Sequence, residues 1–207
     1  MILTGQYDSP FVRRVAISLR VLGFDYAHDT RSVFGDFDSM RQTNPLGRIP
    51  SLTLDDGEVL IDSAAILDHL DEAAGPARAL LPREGEARRR ALRLIALATG
   101  AVDKAGASAY ERIIRPAAYR WPDWIRRLRV QAEGAIAALA AEPWPETARL
   151  DQVAITTACM LRYVAMTDPD LAPRARYPRL AALSARLEAL PEFQATYPPD
   201  VVYPASA

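Results

Sequence analysis

Ser9 stands directly before Pro10, at a point where the sequence predicts the start of a helix. Serine is a favoured N-cap, and proline fits the first helical position because its missing N–H costs nothing there. The Ser9 hydroxyl would then lie beside unpaired backbone N–H groups and the positive end of the helix dipole. A free thiol has a pKa of roughly 8.5, and a thiol bound at this place would have a lower pKa because its thiolate form is stabilised. Ser9 is therefore a candidate catalytic residue, and a plain helix cap is the alternative.

The elements that would position Ser9 alternate between strands and helices over residues 1–75. After a short first strand, apolar residues recur at helical spacing from Phe11 to Leu22, and a second strand is predicted near residues 24–30. Asp55-Asp56-Gly57 is typical of a hairpin turn, and Asp62-Ser63 opens another helix. The order strand, helix, strand, hairpin and helix predicts a small mixed sheet with helices packed on it.

The remaining chain has a different composition, because it is rich in Ala, Leu and Arg and is punctuated by proline. Gly75-Pro76 and Pro82 mark residues 76–86 as a linker. Residues 87–207 predict an all-helical domain, in which Asp151 is suited to cap a core helix. The predicted fold class is therefore an α/β N-terminal domain followed by an all-α C-terminal domain.

Composition excludes several classes of function. The 207 residues carry a formal net charge of −1, so no general basic field is present for nucleic acid or an anionic membrane. Cys159 is the single cysteine, which rules out an internal disulfide, and with two histidines it forms no zinc-type spacing. No apolar run approaches the ~18–20 residues that span a bilayer, and no signal peptide is recognised at Met1. We expect a cytoplasmic protein.

Three motifs carry a specific resemblance: Ser-Pro-Phe-Val-Arg-Arg-Val from Ser9, Asn-Pro-Leu-Gly-Arg-Ile-Pro from Asn44, and Asp62-Ser63 at a helix start. Their order and spacing resemble the thioredoxin-like half of the cytosolic glutathione S-transferase superfamily. The helical remainder is similar to that family's C-terminal domain, so the resemblance covers nearly the whole chain. The Ser-Pro-Phe form resembles the serine-type bacterial and tau-like members.

The resemblance implies a glutathione site in the N-terminal domain. In the family the bond before Pro50 is cis, which leaves the N–H and C=O of Ile49 open to pair with the cysteinyl part of glutathione as an extra strand does. Asp62 would accept from the γ-glutamyl ammonium and Ser63 would hold its carboxylate, although the family more often has glutamate at the first place. The implied glutathione-binding residues are Phe11, Arg48, Ile49, Pro50, Asp62, Ser63 and Asp103.

Two of these assignments have alternatives. Arg48 is a candidate for the glycyl carboxylate, or else a solvated surface arginine. Asp103 is expected to act across a dimer interface, but related sequences carry another acid where this chain has Thr99.

Tyr7 is an alternative to Ser9 as the group that stabilises the thiolate. The candidates for the hydrophobic co-substrate site, with core or interface positions as the alternative, are Tyr110, Arg112 and Trp121.

The implied function is a homodimeric glutathione S-transferase of the detoxification type. Ser9 would stabilise the glutathione thiolate, which attacks a small hydrophobic electrophile. No metal and no cofactor beyond glutathione as co-substrate is expected, and neither nucleic acid nor a membrane is expected as a partner. A non-catalytic glutathione-binding regulator or carrier, and a glutathione-dependent peroxidase, are the alternatives.

Overall fold

The computed structural model describes residues 1–144 and 150–198. This part of the chain forms two compact units: residues 1–88 with 190–198, and residues 89–144 with 150–189. The strands are β1 (Ile2–Thr4), β2 (Ala27–Asp29), β3 (Ser51–Thr53) and β4 (Val59–Ile61). The helices are α1 (Pro10–Leu22), α2 (Phe37–Thr43), α3 (Ser63–Ala74), α4 (Gly85–Ile113), α5 (Pro122–Ala140), α6 (Gln152–Thr167), α7 (Pro178–Glu188) and α8 (Pro191–Gln194), with 3₁₀ turns at Ala117–Tyr119 and Pro169–Leu171.

The first unit is built on a mixed sheet with strand order β2-β1-β3-β4. β1 runs parallel to β2 and antiparallel to β3, which is antiparallel to β4. Leu3 and Leu52 are paired across β1 and β3, and neither is exposed to solvent. The mixed sheet predicted from the order of the elements is confirmed.

Helix α1 is the most deeply embedded element of this unit, with ten of its 13 residues buried. Its apolar stripe includes Val15 and Leu19, and it packs against α3, where Ile66 and Leu70 are buried, and against β1. The burial of each such side chain stabilises the fold by roughly 1.5–3 kcal/mol. Gly23 ends α1 in the left-handed region at φ 74°. The start of α1 is thereby fixed relative to the sheet.

Residues 190–198 follow the helical part in the chain but belong to the first unit. Arg13 of α1, only 1% exposed, donates through Nε to the carbonyl of Thr196 at 3.0 Å and through Nη2 to that of Phe193 at 3.1 Å. Its guanidinium also lies over the rings of Phe193 and Tyr197, 5.6 and 5.7 Å from their centroids. These contacts tie the segment to α1.

The second unit contains helices and, in its described part, no strand. Helix α6 forms its core, with 13 of 16 residues buried, and Asp151 caps it by accepting from the Ala154 N–H at 2.8 Å, as predicted. Asp168, directly after α6, is buried and accepts from Arg112 at 3.2 Å and from Arg129. No helix in the described ranges is long and apolar enough to cross a bilayer.

Candidate functional site

Ser9 is the N-cap of α1, and Pro10 occupies the first turn, as the sequence predicts. The Ser9 hydroxyl oxygen accepts from the backbone N–H of Val12 at 3.4 Å, a long hydrogen bond. The hydroxyl proton itself is not donated to any group in the described part of the chain. Ser9 is partly exposed, so this proton can be donated to a ligand.

Few backbone donors remain open around Ser9. Its own N–H donates to the Gln6 carbonyl at 3.1 Å, and Pro10 has none. Within the described residues, the Phe11 N–H is the first-turn amide without an acceptor, and the Val12 N–H is held only weakly. No acidic residue lies in this first turn. An anion here would meet one hydroxyl, about one free amide and the positive end of the dipole.

Tyr7 is committed to a different set of partners. Its ring stacks on that of His28 with centroids 4.0 Å apart, and its hydroxyl lies 2.9 Å from the hydroxyl of Tyr26. Burial raises the pKa of Tyr7 above its ordinary value, and the hydrogen bond with Tyr26 raises it further. A phenol that is harder to ionise and already hydrogen-bonded is a poor hydrogen-bond donor to a thiolate, which favours Ser9 over Tyr7.

The carboxyl of Asp8, next to Ser9, is also in a low-dielectric position. Burial raises its pKa, while the backbone N–H of Ser9 works in the opposite direction. A carboxyl with a raised pKa carries less charge at acidic pH.

Gly5 brings the second motif against the first. It adopts φ 128°, and a Cβ placed there would lie 2.6 Å from Val12 Cγ2 and 2.8 Å from Ile49 Cβ. Only glycine fits such a close approach with a positive φ. Ile49 therefore touches the loop that leads from β1 to Ser9. The bond between Ile49 and Pro50 is cis, as the resemblance implies.

Asn44 shapes the loop that leads to Ile49. It is 1% exposed, and its Nδ2 donates to the Arg48 carbonyl at 2.7 Å while its Oδ1 accepts from the Leu46 N–H at 3.0 Å. The Arg48 side chain is exposed and has no partner in the described part of the chain. The loop is thus fixed through its backbone, and the Arg48 side chain remains accessible to an anion.

Asp62 caps α3, with its Oδ1 accepting from the Ala64 N–H at 2.8 Å. It is the one non-glycine residue with positive φ in the described ranges, at 69°, and such strain is concentrated at functional sites. Its other carboxylate oxygen has no partner there. Asp62 is exposed, so this oxygen is open to a cation.

Ser63, the first residue of α3, is connected to α1 by an arginine. Arg14, 3% exposed, donates to Ser63 Oγ through Nη2 at 2.7 Å and through Nε at 3.2 Å. Its guanidinium also lies 5.9 Å from the centre of the Phe11 ring. Three predicted site residues, Ser9, Phe11 and Ser63, are therefore linked through α1. The sequence placed Arg14 inside the first motif without a role, and its burial is seen only in the structure.

The other predicted site residues lie in the second unit. Asp103 is exposed on α4, and Tyr110 is 47% exposed near the end of that helix. Arg112 donates to the carbonyls of Ser108 and Thr167 and to Asp168, so its guanidinium is largely committed.

Trp121, 62% exposed, lines a cavity of about 340 Å³. Its ring stacks on that of Trp124 with centroids 6.3 Å apart and an interplanar angle of 21°. Glu111 accepts from the backbone N–H of Trp121 at 3.3 Å and from Arg115 Nε at 2.7 Å. The charges of Glu111 and Arg115 therefore neutralise each other. The cavity is lined by Glu111, Arg115, Tyr119, Trp121 and Trp124. Its flat aromatic walls suit a planar apolar molecule.

The described residues contain no cluster of three His, Cys, Asp or Glu side chains arranged to hold a metal ion. The groups that the first unit does offer are the Ser9 hydroxyl, the Phe11 amide, one carboxylate oxygen of Asp62 and the exposed guanidinium of Arg48. They are hydrogen-bond donors and charges arranged around two helix N-termini, which suit a ligand bearing anionic groups and an ammonium.

Known proteins are similar to this chain in both sequence and fold. The family model described as glutathione S-transferase, N-terminal domain, matches residues 3–78. The uncharacterized GST-like protein YibF of Escherichia coli is 32% identical over 167 residues, which are 79% of this chain and 82% of that protein. The probable maleylacetoacetate isomerase 1 of Drosophila melanogaster is 28% identical over 191 residues, 89% of this chain and 75% of that protein.

A solved structure extends the likeness to the whole fold. A glutathione transferase family member from Pseudomonas fluorescens Pf-5, crystallised with bound glutathione, has a TM-score of 0.87 and 37% identity. The match covers 96% of this chain and 98% of that one. Together with the family model and the relative from Escherichia coli, it shows that this chain belongs to the glutathione S-transferase family and has that family's fold, an α/β thioredoxin-like domain with an all-α helical domain.

Proposed function

We propose that this protein is a glutathione transferase that conjugates the glutathione thiolate to a small hydrophobic electrophile. The observation that supports it most directly is that one unit holds Ser9, Ile49 and Ser63. Ile49 packs at Gly5, on the loop that leads to Ser9, and Arg14 joins α1 to Ser63. The 37% identical relative with bound glutathione supports the choice of ligand.

Each part of glutathione has a partner of matching chemistry in this assignment. The γ-glutamyl ammonium pairs with the open oxygen of Asp62, and its carboxylate accepts from Ser63. The cysteinyl backbone pairs with the N–H and C=O of Ile49, as an added strand does. Arg48 takes the glycyl carboxylate because its guanidinium is exposed on the same loop.

The chemical step needs an ionised sulfur. The thiol loses its proton to solvent, the sulfur forms a bond to the electrophilic carbon, and the leaving group departs with the bonding electron pair. Lowering a thiol pKa by about two units requires about 2.7 kcal/mol. A hydrogen bond from Ser9 to the charged sulfur is worth about 1.5–3 kcal/mol and the helix dipole about 0.3–1 kcal/mol. These two contributions suffice without a protein base.

The apolar co-substrate is assigned to the aromatic cavity of the second unit. Trp121 supplies one wall, and the exposed Tyr110 lies on the neighbouring stretch of α4. Arg112 supports this region structurally through Asp168. Electrophiles on an aromatic ring are the favoured class, because they can stack on the paired tryptophans. The homodimer stays a prediction, which light scattering tests. The role of Asp103 across the dimer interface also stays a prediction.

A panel of electrophiles and hydroperoxides tests the proposal. The purified protein should bind glutathione with a lowered thiol pKa, measured by ultraviolet thiolate absorbance, and should conjugate it to a chlorodinitrobenzene. Glutathione binding without a lowered pKa or conjugation would instead support the non-catalytic carrier. Faster turnover with hydroperoxides than with every electrophile would support the peroxidase.

A second candidate is glutathione-dependent cis–trans isomerisation, because the chain is 28% identical to a probable maleylacetoacetate isomerase over 89% of its length. The same thiolate would add to a conjugated double bond, the resulting single bond would rotate, and elimination would regenerate the thiolate. Glutathione is then not consumed. Titration of free thiol during turnover of a cis-enone separates the two reactions, because conjugation consumes one thiol per product.

A further inference from the structure

Arg14 is a buried cation that donates hydrogen bonds to the Ser63 hydroxyl. It lies on α1 at 3% exposure and directs two donors, Nη2 at 2.7 Å and Nε at 3.2 Å, to Ser63 Oγ at the start of α3. A guanidinium is permanently charged and only donates hydrogen bonds. Its plane is further held against the Phe11 ring, 5.9 Å from the centroid. The orientation of this cation is therefore fixed by the packing of α1 on α3.

This contact decides which way the Ser63 hydroxyl can act. A serine hydroxyl has two lone pairs and one proton, and the two lone pairs here accept from Arg14. The proton must then be donated outward. No acceptor in the described part of the chain takes it, although Ser63 is 4% exposed. A buried donor without an acceptor is costly, so this proton calls for an acceptor on a ligand.

We propose that Arg14 is a positioning residue that makes Ser63 an obligate donor to the γ-glutamyl carboxylate of glutathione. This inference rests on the proposed function. Arg14 occupies the acceptor sites of Ser63 and places a positive charge one hydroxyl away from the carboxylate. A hydroxyl polarised by a cation gives a stronger hydrogen bond to an anion than a free serine does. Arg14 therefore selects glutathione over a peptide that lacks this carboxylate.

The test measures binding of two ligands by calorimetry. One is glutathione, and the other is 4-aminobutyryl-cysteinyl-glycine, which lacks only the γ-glutamyl carboxylate. We expect Arg14→Met to weaken glutathione binding by about 10- to 100-fold and to leave binding of the analogue within about twofold. Arg14→Lys should restore part of the affinity, because a lysine keeps the charge but not the two-pronged geometry.

Two further variants isolate the path through the hydroxyl. Ser63→Ala should lose glutathione affinity as Arg14→Met does, and the double variant should lose little more than either alone, since both remove one unit. Arg20→Met is the matched control, because Arg20 is an exposed arginine on the same helix whose guanidinium lies over the Tyr26 ring. It should leave both affinities unchanged. Thermal unfolding checks that each variant is folded, and Arg14→Lys serves if Arg14→Met is not.

The outcomes separate this inference from the proposed function. Wild-type protein that binds no glutathione overturns both. Wild-type protein that binds glutathione, with Arg14→Met and Arg14→Lys weakening both ligands equally, overturns the inference alone, because Arg14 would then act only on packing. Unchanged glutathione affinity in both variants also overturns it. The thiol pKa of bound glutathione should stay unchanged in Arg14→Lys, since Ser9 is untouched.

Discussion

Replacing Ser9 by alanine removes the one side-chain donor at the start of α1. The structure leaves little to take its place, because Pro10 has no N–H and the Ser9 N–H is used by Gln6. A hydrogen bond to a charged sulfur is worth about 1.5–3 kcal/mol, which corresponds to about one to two pKa units at 1.36 kcal/mol per unit. The Phe11 amide and the helix dipole remain and keep the thiol pKa slightly below its free value.

The expected result is a fall in turnover that depends on pH. At about pH 6.5 the thiolate fraction, and with it the rate of conjugation, should fall by about 10- to 100-fold in Ser9→Ala. Above the raised pKa of the variant, both proteins bind the thiolate and the rates should converge. The measurement is kcat/KM against pH with one electrophile, together with the thiolate absorbance of bound glutathione.

Three variants at this position separate catalysis from capping. Ser9→Ala should cost about 0.5–1 kcal/mol of stability, since the cap bond to Val12 is long at 3.4 Å. Ser9→Gly keeps an acceptable cap but no hydroxyl, so its activity should match that of Ser9→Ala. Ser9→Thr keeps both and should retain most activity. Equal losses at low and high pH, or no loss in the alanine and glycine variants, would refute thiolate stabilisation by Ser9.

Three other expectations follow from the contacts of single side chains. Tyr7→Phe should keep kcat/KM within about threefold at every pH, because its hydroxyl is shared with Tyr26; a loss of about tenfold or more would return Tyr7 to the mechanism. Asp168→Asn should lower stability by about 2–3 kcal/mol in urea unfolding, because it leaves two arginines without their buried carboxylate. The hydrogen bond from Arg31 holds the pKa of Asp29 below its usual 3.8, so this carboxylate stabilises the fold above about pH 4 and the gain is lost as pH falls through the folded-state pKa. Asp29→Asn should therefore lose stability at neutral pH but show a shallower decline in acid, followed by circular dichroism; an unchanged acid profile would contradict this.

Local signals in the sequence are strong at the helix starts. Ser9 with Pro10, Asp62 with Ser63, and Asp151 each place a short polar side chain before a helix, and all three lie at the predicted ends. These choices are local because a cap bonds to an amide two or three residues away. The mixed sheet also follows from element order, since short connections restrict which strands can pair.

Long-range partners were not predictable in the same way. Arg14 meets Ser63, 49 residues away, and Arg13 meets Thr196, 183 residues away. Nothing in the spacing of the chain distinguishes these two arginines from solvated ones, because a buried arginine is recognised only by the groups packed around it. The same holds for Arg112, which the sequence proposed for the co-substrate site and which contacts Asp168.

The sequence by itself determined which chemical groups the site offers and at which helix ends they stand, because capping and periodicity act within a few residues. Only the tertiary structure decided how these groups act together. The packing of α1 on α3 brings Arg14 to Ser63, and the close approach at Gly5 brings Ile49 to the loop before Ser9. Contacts of this kind depend on the whole core, since each is made by residues that the chain separates and the fold brings into van der Waals contact.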